Sequence, residues 1–367
     1  MKKIHRTLSL FTVAAMCAAL LCSCGAVSDS SQTDSSSKAA TTTTADTTAD
    51  TTTTGEASST ASATSAPDSS VSDSSSAVTD DTKTNGITPA MWKVTSPEGS
   101  TMVMLGSFHA LKDECYPLPE AVTNAYNNAD ILAVECDITS TSEDGEYMKN
   151  LMKQMLYNDN TKLSQHISEE AYSALQTYLG YWGMDISALE VYRPWAVSST
   201  LDTLLIQDSD FDTEKGLDNF LLTTAHADGK EIYEVESVDF QMNLLINFSD
   251  DIYDLMFRSY EGETKESQKQ ALEDLYTAWK SGDIETFLEE DNEEELAGYT
   301  EEDKKIAEDY NNQMLYDRNK NMAKAAEDLM SQGKNVFYVV GAAHYAGEGG
   351  IIDLLEKDGY TAERVQY

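Results

Sequence analysis

The apolar positions of the chain change period from one segment to the next, and the changes mark out its elements. "MWKVTSPEGSTMVMLGSFH" (91–109) places two short apolar runs around Ser-Pro-Glu-Gly-Ser, the pattern of a β-hairpin. "YPLPEAVTNAYNNAD" (116–130) predicts a helix opened by Pro119, with Leu118, Val122 and Tyr126 on one face. "ILAVECD" (131–137) is a continuous apolar run of strand length that ends in the carboxylates Glu135 and Asp137. Strand, helix and strand at this spacing predict a βαβ unit with parallel neighbours.

The middle of the chain keeps a helical period. "ISEEAYSALQTYLGYWG" (167–183) starts at a capping Ser168 and ends at glycine, and "RPWAVSSTLDTLLIQ" and "TEKGLDNFLLTTAHADG" follow it. A short strand in "KEIYEVES" (230–237) sets Glu236 beyond its apolar pair, and periodic Leu, Met and Tyr then continue to "DRNKNMAKAAEDLMSQG" (317–333). The chain closes with an apolar strand over 335–341, a glycine-rich turn, the helix "GIIDLLEKDG" and a last strand in "TAERVQY". The expected fold is α/β: a mixed or partly parallel central sheet from the N- and C-terminal parts, with the helical middle packed on it. One domain over 86–367 accommodates all of these elements.

The first 85 residues follow none of these periods. "MKKIHRTLSLFTVAAMCAALLCSCG" has a basic start and an apolar core too short for a spanning helix. Leu21-Cys22-Ser23-Cys24 resembles a bacterial lipobox, which implies cleavage before Cys24, lipidation of that cysteine and an anchor on the outer face of the cell membrane. Cys22 suits that role less, because Leu21 would occupy the position a small residue needs. Residues 25–85 are almost wholly Ser, Thr, Ala and Asp with no aromatic residue, too polar to offset ordering entropy, and predict a disordered tether spanning roughly 45 Å.

Charge narrows the partners. The chain holds 25 Lys+Arg against 64 Asp+Glu, a net −39, and most of it falls after residue 85. Nucleic acid is excluded as a partner of such a surface. Acidic runs such as "EEDNEEELAGYTEEDKK" read as solvated helix faces. Beyond the lipobox only Cys115 and Cys136 remain, outside any C-x-x-C pair, which leaves two inert thiols or a single bridge.

The candidate chemistry lies in two matching strand ends. "MLGSFH" sets Gly106 three residues before His109, and "VVGAAH" sets Gly341 three residues before His344. In parallel sheets ligands gather at the carboxyl ends of strands. Both histidines should therefore project from neighbouring loops on one sheet edge, where Glu135 and Glu236 end further strands. Two imidazoles and one or two carboxylates can bind a divalent metal that leaves room for water, or can do acid–base work; the alternative is a pair of histidines that buttress loops. Arg318 could hold a carboxylate, stabilise an oxyanion or serve a structural ion pair with Glu135 or Glu236. Trp195 reads as core, and alternation would turn Cys136 away from the face that Glu135 uses. "HISEE" (166–170) lacks the register of a zinc helix, and "GEGG" (347–350) reads as a turn rather than a phosphate cradle.

Six stretches in order resemble the TraB/GumN family: "MVMLGSFHALKDECYPLPEAV", "ADILAVECD", "RPWAVS", "EVESVDFQMNLL", "DRNKNMA" and "VFYVVGAAHYAGEGGIIDLLEKDGYTAERV". Ser107 stands where threonine is common. The family includes animal membrane-tethered metalloproteases that clip the amino terminus of Wnt proteins, and is similar in fold to the erythromycin-esterase and ChaN-like group. The resemblance implies a metal-dependent hydrolase with a peptide or protein substrate and a divalent metal cofactor, manganese or cobalt rather than a settled preference for zinc. It implies His109, His344 and one of Glu135 or Glu236, Glu135 before Glu236, as ligands, with the other glutamate as base and Arg318 and Asn319 as further catalytic residues. The other function class compatible with these residues is a non-catalytic surface lipoprotein that binds a peptide or a haem-like ligand.

Overall fold

The computed structural model describes residues 86–142, 144–288 and 298–367. The lipobox with Cys24, the tether and part of the acidic run lie outside them. Among the described residues one mixed sheet has six strands: β1 (Met91–Thr95), β2 (Thr101–Ser107), β3 (Ile131–Val134), β4 (Glu231–Glu234), β5 (Val336–Gly341) and β6 (Thr361–Arg364). Their spatial order is β4-β3-β5-β2-β1-β6. β2, β5, β3 and β4 run parallel, whereas β1 pairs antiparallel with both β2 and β6. The fold is α/β with a partly parallel sheet from the two ends of the chain, as the apolar pattern predicts.

Helix α1 (Glu120–Asn128) joins β2 to β3. Between β3 and β4 lie α2 (Ile138–Ser142), α3 (Gly145–Gln154), α4 (Glu169–Gly180), α5 (Pro194–Gln207) and α6 (Leu217–Asp228). Between β4 and β5 come α7 (Val238–Asn247), α8 (Asp250–Arg258), α9 (Lys265–Ser281), α10 (Glu301–Asn311) and α11 (Asp317–Met330), and α12 (Ile351–Lys357) follows β5. The caps follow side-chain chemistry: Ser168 accepts from Ala171 N at α4, and Ser237 from Phe240 N at α7. Helix α10 runs into α11 through a π turn at Asn312–Tyr316, a widening that is frequent at functional sites.

The predicted β2-α1-β3 unit needs one correction. Its strands are parallel but not neighbours, because β5 lies between them and pairs with both. β5 is buried along its whole length, as "VFYVVG" requires of a strand covered on both faces. Its insertion is a contact across more than 200 residues that no local period encodes. Trp195 is core, with Nε1 donating to the Gln154 carbonyl. Cys115 and Cys136 are buried thiols with no disulfide between them. No helix among the described residues is long and apolar enough to cross a membrane.

Candidate active site

The four parallel strands end on one edge, and each delivers a side chain there. Register sets Ser107, the last residue of β2, opposite Gly341, the last of β5. His109 and His344 thus leave adjacent strands two and three residues on. Glu135 follows β3 directly, and its backbone carbonyl accepts from the Glu236 N–H at 2.8 Å, which carries the β3–β4 pairing past the strand ends. The strand ends therefore present Glu236, Glu135, His344 and His109 in that order across the sheet.

The two glycines have steric reasons. A Cβ on Gly106 would lie 3.0 Å from both Cα and Cβ of Ala342, so only glycine lets the β2 and β5 ends approach this closely. A Cβ on Gly341 would stand 3.1 Å from Glu135 Oε1 and 3.6 Å from both His109 Nε2 and His344 Cδ2. The missing side chain is the space on which the three functional groups converge.

His344 and Glu135 are buried. His344 Nδ1 donates to Asn319 Oδ1 (2.6 Å), while Asn319 Nδ2 donates to the carbonyl of Gly349 (2.9 Å). The glycine-rich turn thus fixes Asn319, and Asn319 fixes the tautomer that leaves His344 Nε2 facing Glu135 Oε1 at 3.8 Å. Burial, with the Arg318 charge nearby, lowers the His344 pKa to about 3 despite Glu135, which keeps the ring neutral.

Glu135 would be raised by its burial, but Arg318 and the histidines reverse this and hold it well below the usual carboxylate range. Its Oε2 accepts from Arg318 Nη2 (2.7 Å) and Gln241 Nε2 (2.9 Å), and Oε1 accepts from the Gly341 N–H (2.7 Å). Arg318 also binds Glu236 through Nε (2.9 Å) and Nη2 (2.8 Å), and donates through Nη1 to the Met314 carbonyl in the π turn. Gln241 Nε2 bridges on to Glu236 Oε2 at 2.6 Å. Of the readings open for Arg318, the geometry contains the buried ion pair, made with both glutamates at once.

His109 differs. Its Nδ1 donates to Asp218 Oδ2 at 2.8 Å, and 43% of its side chain remains accessible. Burial of the ring against the site works against its charge, but Asp218 outweighs this and lifts its pKa to about 9. Asp218 comes from the first turn of α6, whose start packs on the His109 backbone: a Cβ on Gly216 would fall 2.1 Å from the His109 carbonyl oxygen. Neither Asp218 nor Gln241 is a site residue in the sequence reading. The only trace of Asp218 is an acidic residue in a helix's first turn, where dipole stabilisation already accounts for it. Gln241 lies five residues beyond Glu236, but nothing in that spacing marks it as a bridge.

Cys136 lines the same cavity as Glu135. Strand alternation stops at Val134, and the thiol donates to Gln241 Oε1 at 3.5 Å, its pKa driven up by burial. Asp137 turns instead to His226, 2.7 Å away. Glu236 is absent from the cavity wall, whereas His109, His344, Glu135, Arg318 and Gly341 all line it.

A family model described as TraB/PrgY/gumN matches residues 90–364. The chain belongs to the TraB/PrgY/gumN family. The chain is 26% identical over 157 residues to the uncharacterized protein YbaP of Escherichia coli, covering 43% of this chain and 56% of YbaP. It is 25% identical over 293 residues to a metalloprotease TIKI homolog of Nematostella vectensis, covering 68% of this chain and 61% of the relative. The match to metalloprotease TIKI2 of Danio rerio is 25% over 164 residues, 40% of this chain and 32% of the relative. The chain therefore spans little more than half the length of the first two relatives. No solved structure matches.

The metalloprotease names raise the question of whether the residues fit a metal. Among the described residues no three His, Cys, Asp or Glu side chains are gathered closely enough to enclose an ion. The donor chemistry nevertheless suits a divalent transition metal. Both histidines have Nδ1 committed to an oxygen, the arrangement that orients metal-ligating imidazoles, and both face the space kept open by Gly341. Glu135 Oε1, with one hydrogen bond received, retains a lone pair there.

Proposed function

We propose that this TraB/PrgY/gumN chain is a metal-dependent hydrolase of peptide bonds, held on the outer face of the cell membrane by a lipid on Cys24. The observation that carries the catalytic part is the convergence of His109, His344 and Glu135 on the space a Gly341 side chain would fill. The metalloprotease names of two relatives support the same reaction class. Manganese, cobalt or zinc held by His109, His344 and the remaining Glu135 lone pair would supply Lewis acidity to a peptide carbonyl.

The protein's own residues prepare that task. Arg318 keeps Glu135 ionised in a buried setting. Glu236 and Gln241 hold Arg318 and Glu135 in place, so Glu236, spent on these contacts, acts as a positioning residue rather than as a base. Asn319 keeps the His344 Nε2 lone pair toward the cavity. His109 binds a cation only by releasing the proton that Asp218 favours, so metal affinity rises with pH toward 9.

The test is metal content and peptide cleavage of the purified protein with manganese, cobalt and zinc. Binding of one metal per chain and loss of cleavage in His109→Ala and His344→Ala are expected. No metal uptake, with both variants cleaving like the wild type, would sink the proposal. For the anchor, Cys24→Ala should move the protein from the membrane to the soluble fraction. A haem-like ligand is the weaker reading, because the cavity of about 160 Å³ is smaller than the roughly 300 Å³ at which pockets for such ligands begin.

A further inference from the structure

We infer that the cavity selects one uncharged, benzene-sized side chain of a peptide substrate, seated beside the bond to be cleaved. The selectivity rests on the hydrolase reading for its place next to the chemistry, whereas the binding itself does not. The strand ends, with Asp218 of α6, Gln241 of α7 and Arg318 of α11, make one part of the cavity polar; the rest of its helical wall is Ile206 of α5, Leu222 of α6, Leu244 and Leu245 of α7 and Leu275 of α9, with Phe287 beyond α9. These five helical wall residues come from segments whose apolar period already faces the core, so this part of the wall is continuous with the core.

Size fixes the occupant further. A cavity of about 150 Å³ lined by Leu, Ile and Phe stays dry and binds benzene. At about 160 Å³, this one has room for a Phe, Leu or Met side chain. A Lys or Asp side chain seated among these apolar residues would lose the hydration of its charge.

The border between the two parts points to a peptide rather than a plain hydrocarbon. Two buried polar atoms of cavity-lining residues have no hydrogen-bond partner: Ser107 Oγ, at the end of β2, and Asn311 Oδ1, at the start of the π turn. A hydroxyl can donate to a carbonyl, and an amide oxygen can accept from an N–H, which together are the needs of one peptide unit. Both residues line the same cavity as the histidines and the apolar residues, and would meet the backbone that carries the apolar side chain.

Two measurements separate this inference from the hydrolase reading. The first titrates the intact protein with N-acetyl-phenylalanine amide and with N-acetyl-alanine amide, followed by thermal shift. The phenylalanine probe should raise Tm and the alanine probe should not; Leu244→Trp, which fills the wall at a half-buried position away from the strand ends, should abolish the rise. The second compares cleavage of peptides that differ only in the residue before the scissile bond. Phe or Leu should exceed Ala and Lys by about tenfold or more in kcat/KM. Leu244→Trp should remove that preference, and Leu244→Ala should shift it toward Trp. Binding of the phenylalanine probe without cleavage of any peptide supports the inference and removes the hydrolase reading alone. Cleavage with no preference, or a Phe preference that survives in both Leu244 variants, overturns the inference and leaves the hydrolase reading standing. Failure of the phenylalanine probe to bind wild-type protein that melts cooperatively also overturns it.

Discussion

His109 and His344 end neighbouring strands in the same Gly-x-x-His pattern, yet the fold treats them as opposites. His344 is buried, faces a neutral Asn319 and lies near Arg318, and its pKa falls to about 3. His109 borders the open cavity, faces the Asp218 carboxylate, and rises to about 9. At neutral pH one ring is neutral and the other charged. The difference arises not from the motif but from the surroundings: burial beside Arg318 for His344, and the Asp218 carboxylate of α6 on Nδ1 for His109. A repeated motif thus fixes where a side chain starts, and the second contact fixes what it can do.

The largest break in this comparison should come from Arg318→Met. It would leave Glu135 and Glu236 buried without their cation, and unfolding by urea should show a loss of about 3–5 kcal/mol. Asp218→Asn, on the more open side, should cost about 1 kcal/mol or less in the same experiment.

Exchanging the Nδ1 partners tests the cause of the contrast. In metal-free protein, Asp218→Asn should lower the His109 pKa from about 9 by about two units, and Asn319→Asp should raise that of His344 by a similar amount. Ring-proton chemical shifts against pH would read both. Unchanged titrations would show that burial alone, and not the partner, separates the two rings.

The same contrast should appear in stability against pH, with opposite signs. His109 is raised above its ordinary 6.5, so its contribution is complete below that value and is lost as pH rises through about 9. His344 is depressed, so stability is lost as pH falls from 6.5 toward 3, where the unfolded chain takes up a proton that the fold refuses. The accessible face of His109 makes its share the smaller. Asp202 overlaps both ranges: burial without a partner for Oδ2 lifts it to about 8, so the fold loses stability from the ordinary carboxylate range up to that value. In an Asp202→Asn background, Asp218→Asn should flatten only the alkaline limb of a denaturation series.

Gly341→Ala adds a single methyl group. Its Cβ would meet Glu135 Oε1 at 3.1 Å and both rings at 3.6 Å, so a stability cost of about 1 kcal/mol is expected, with a larger loss of metal uptake. Equal metal uptake in the variant would mean that the functional groups do not share the space beside Gly341.

Much of this was legible in the residues before any coordinates. The continuous apolar run of "VFYVVG" announces a strand buried on both faces, and the two Gly-x-x-His endings announce side chains on one sheet edge. Glu135 and Glu236 fall where the strand ends predict. The neighbour relations were not legible: β5 separates β2 from β3 because burying its two apolar faces at the sheet centre is more favourable than leaving them at an edge, a choice between distant segments. The partners Asp218 and Gln241 were hidden for a related reason. Each occupies an ordinary place on a helix, and only the docking of α6 and α7 on the strand ends gives it a role.

Hydrophobic period and strand-ending glycines act locally along the chain, and they set the elements, the α/β class and the four side chains brought to one edge. The tertiary structure alone decided that Arg318 is bound by two glutamates, that Glu236 stands behind the cavity, and that one histidine is charged while its counterpart is not. Those outcomes depend on burial and on charges a few ångströms apart, and both quantities exist only once helices distant in sequence have packed against the sheet.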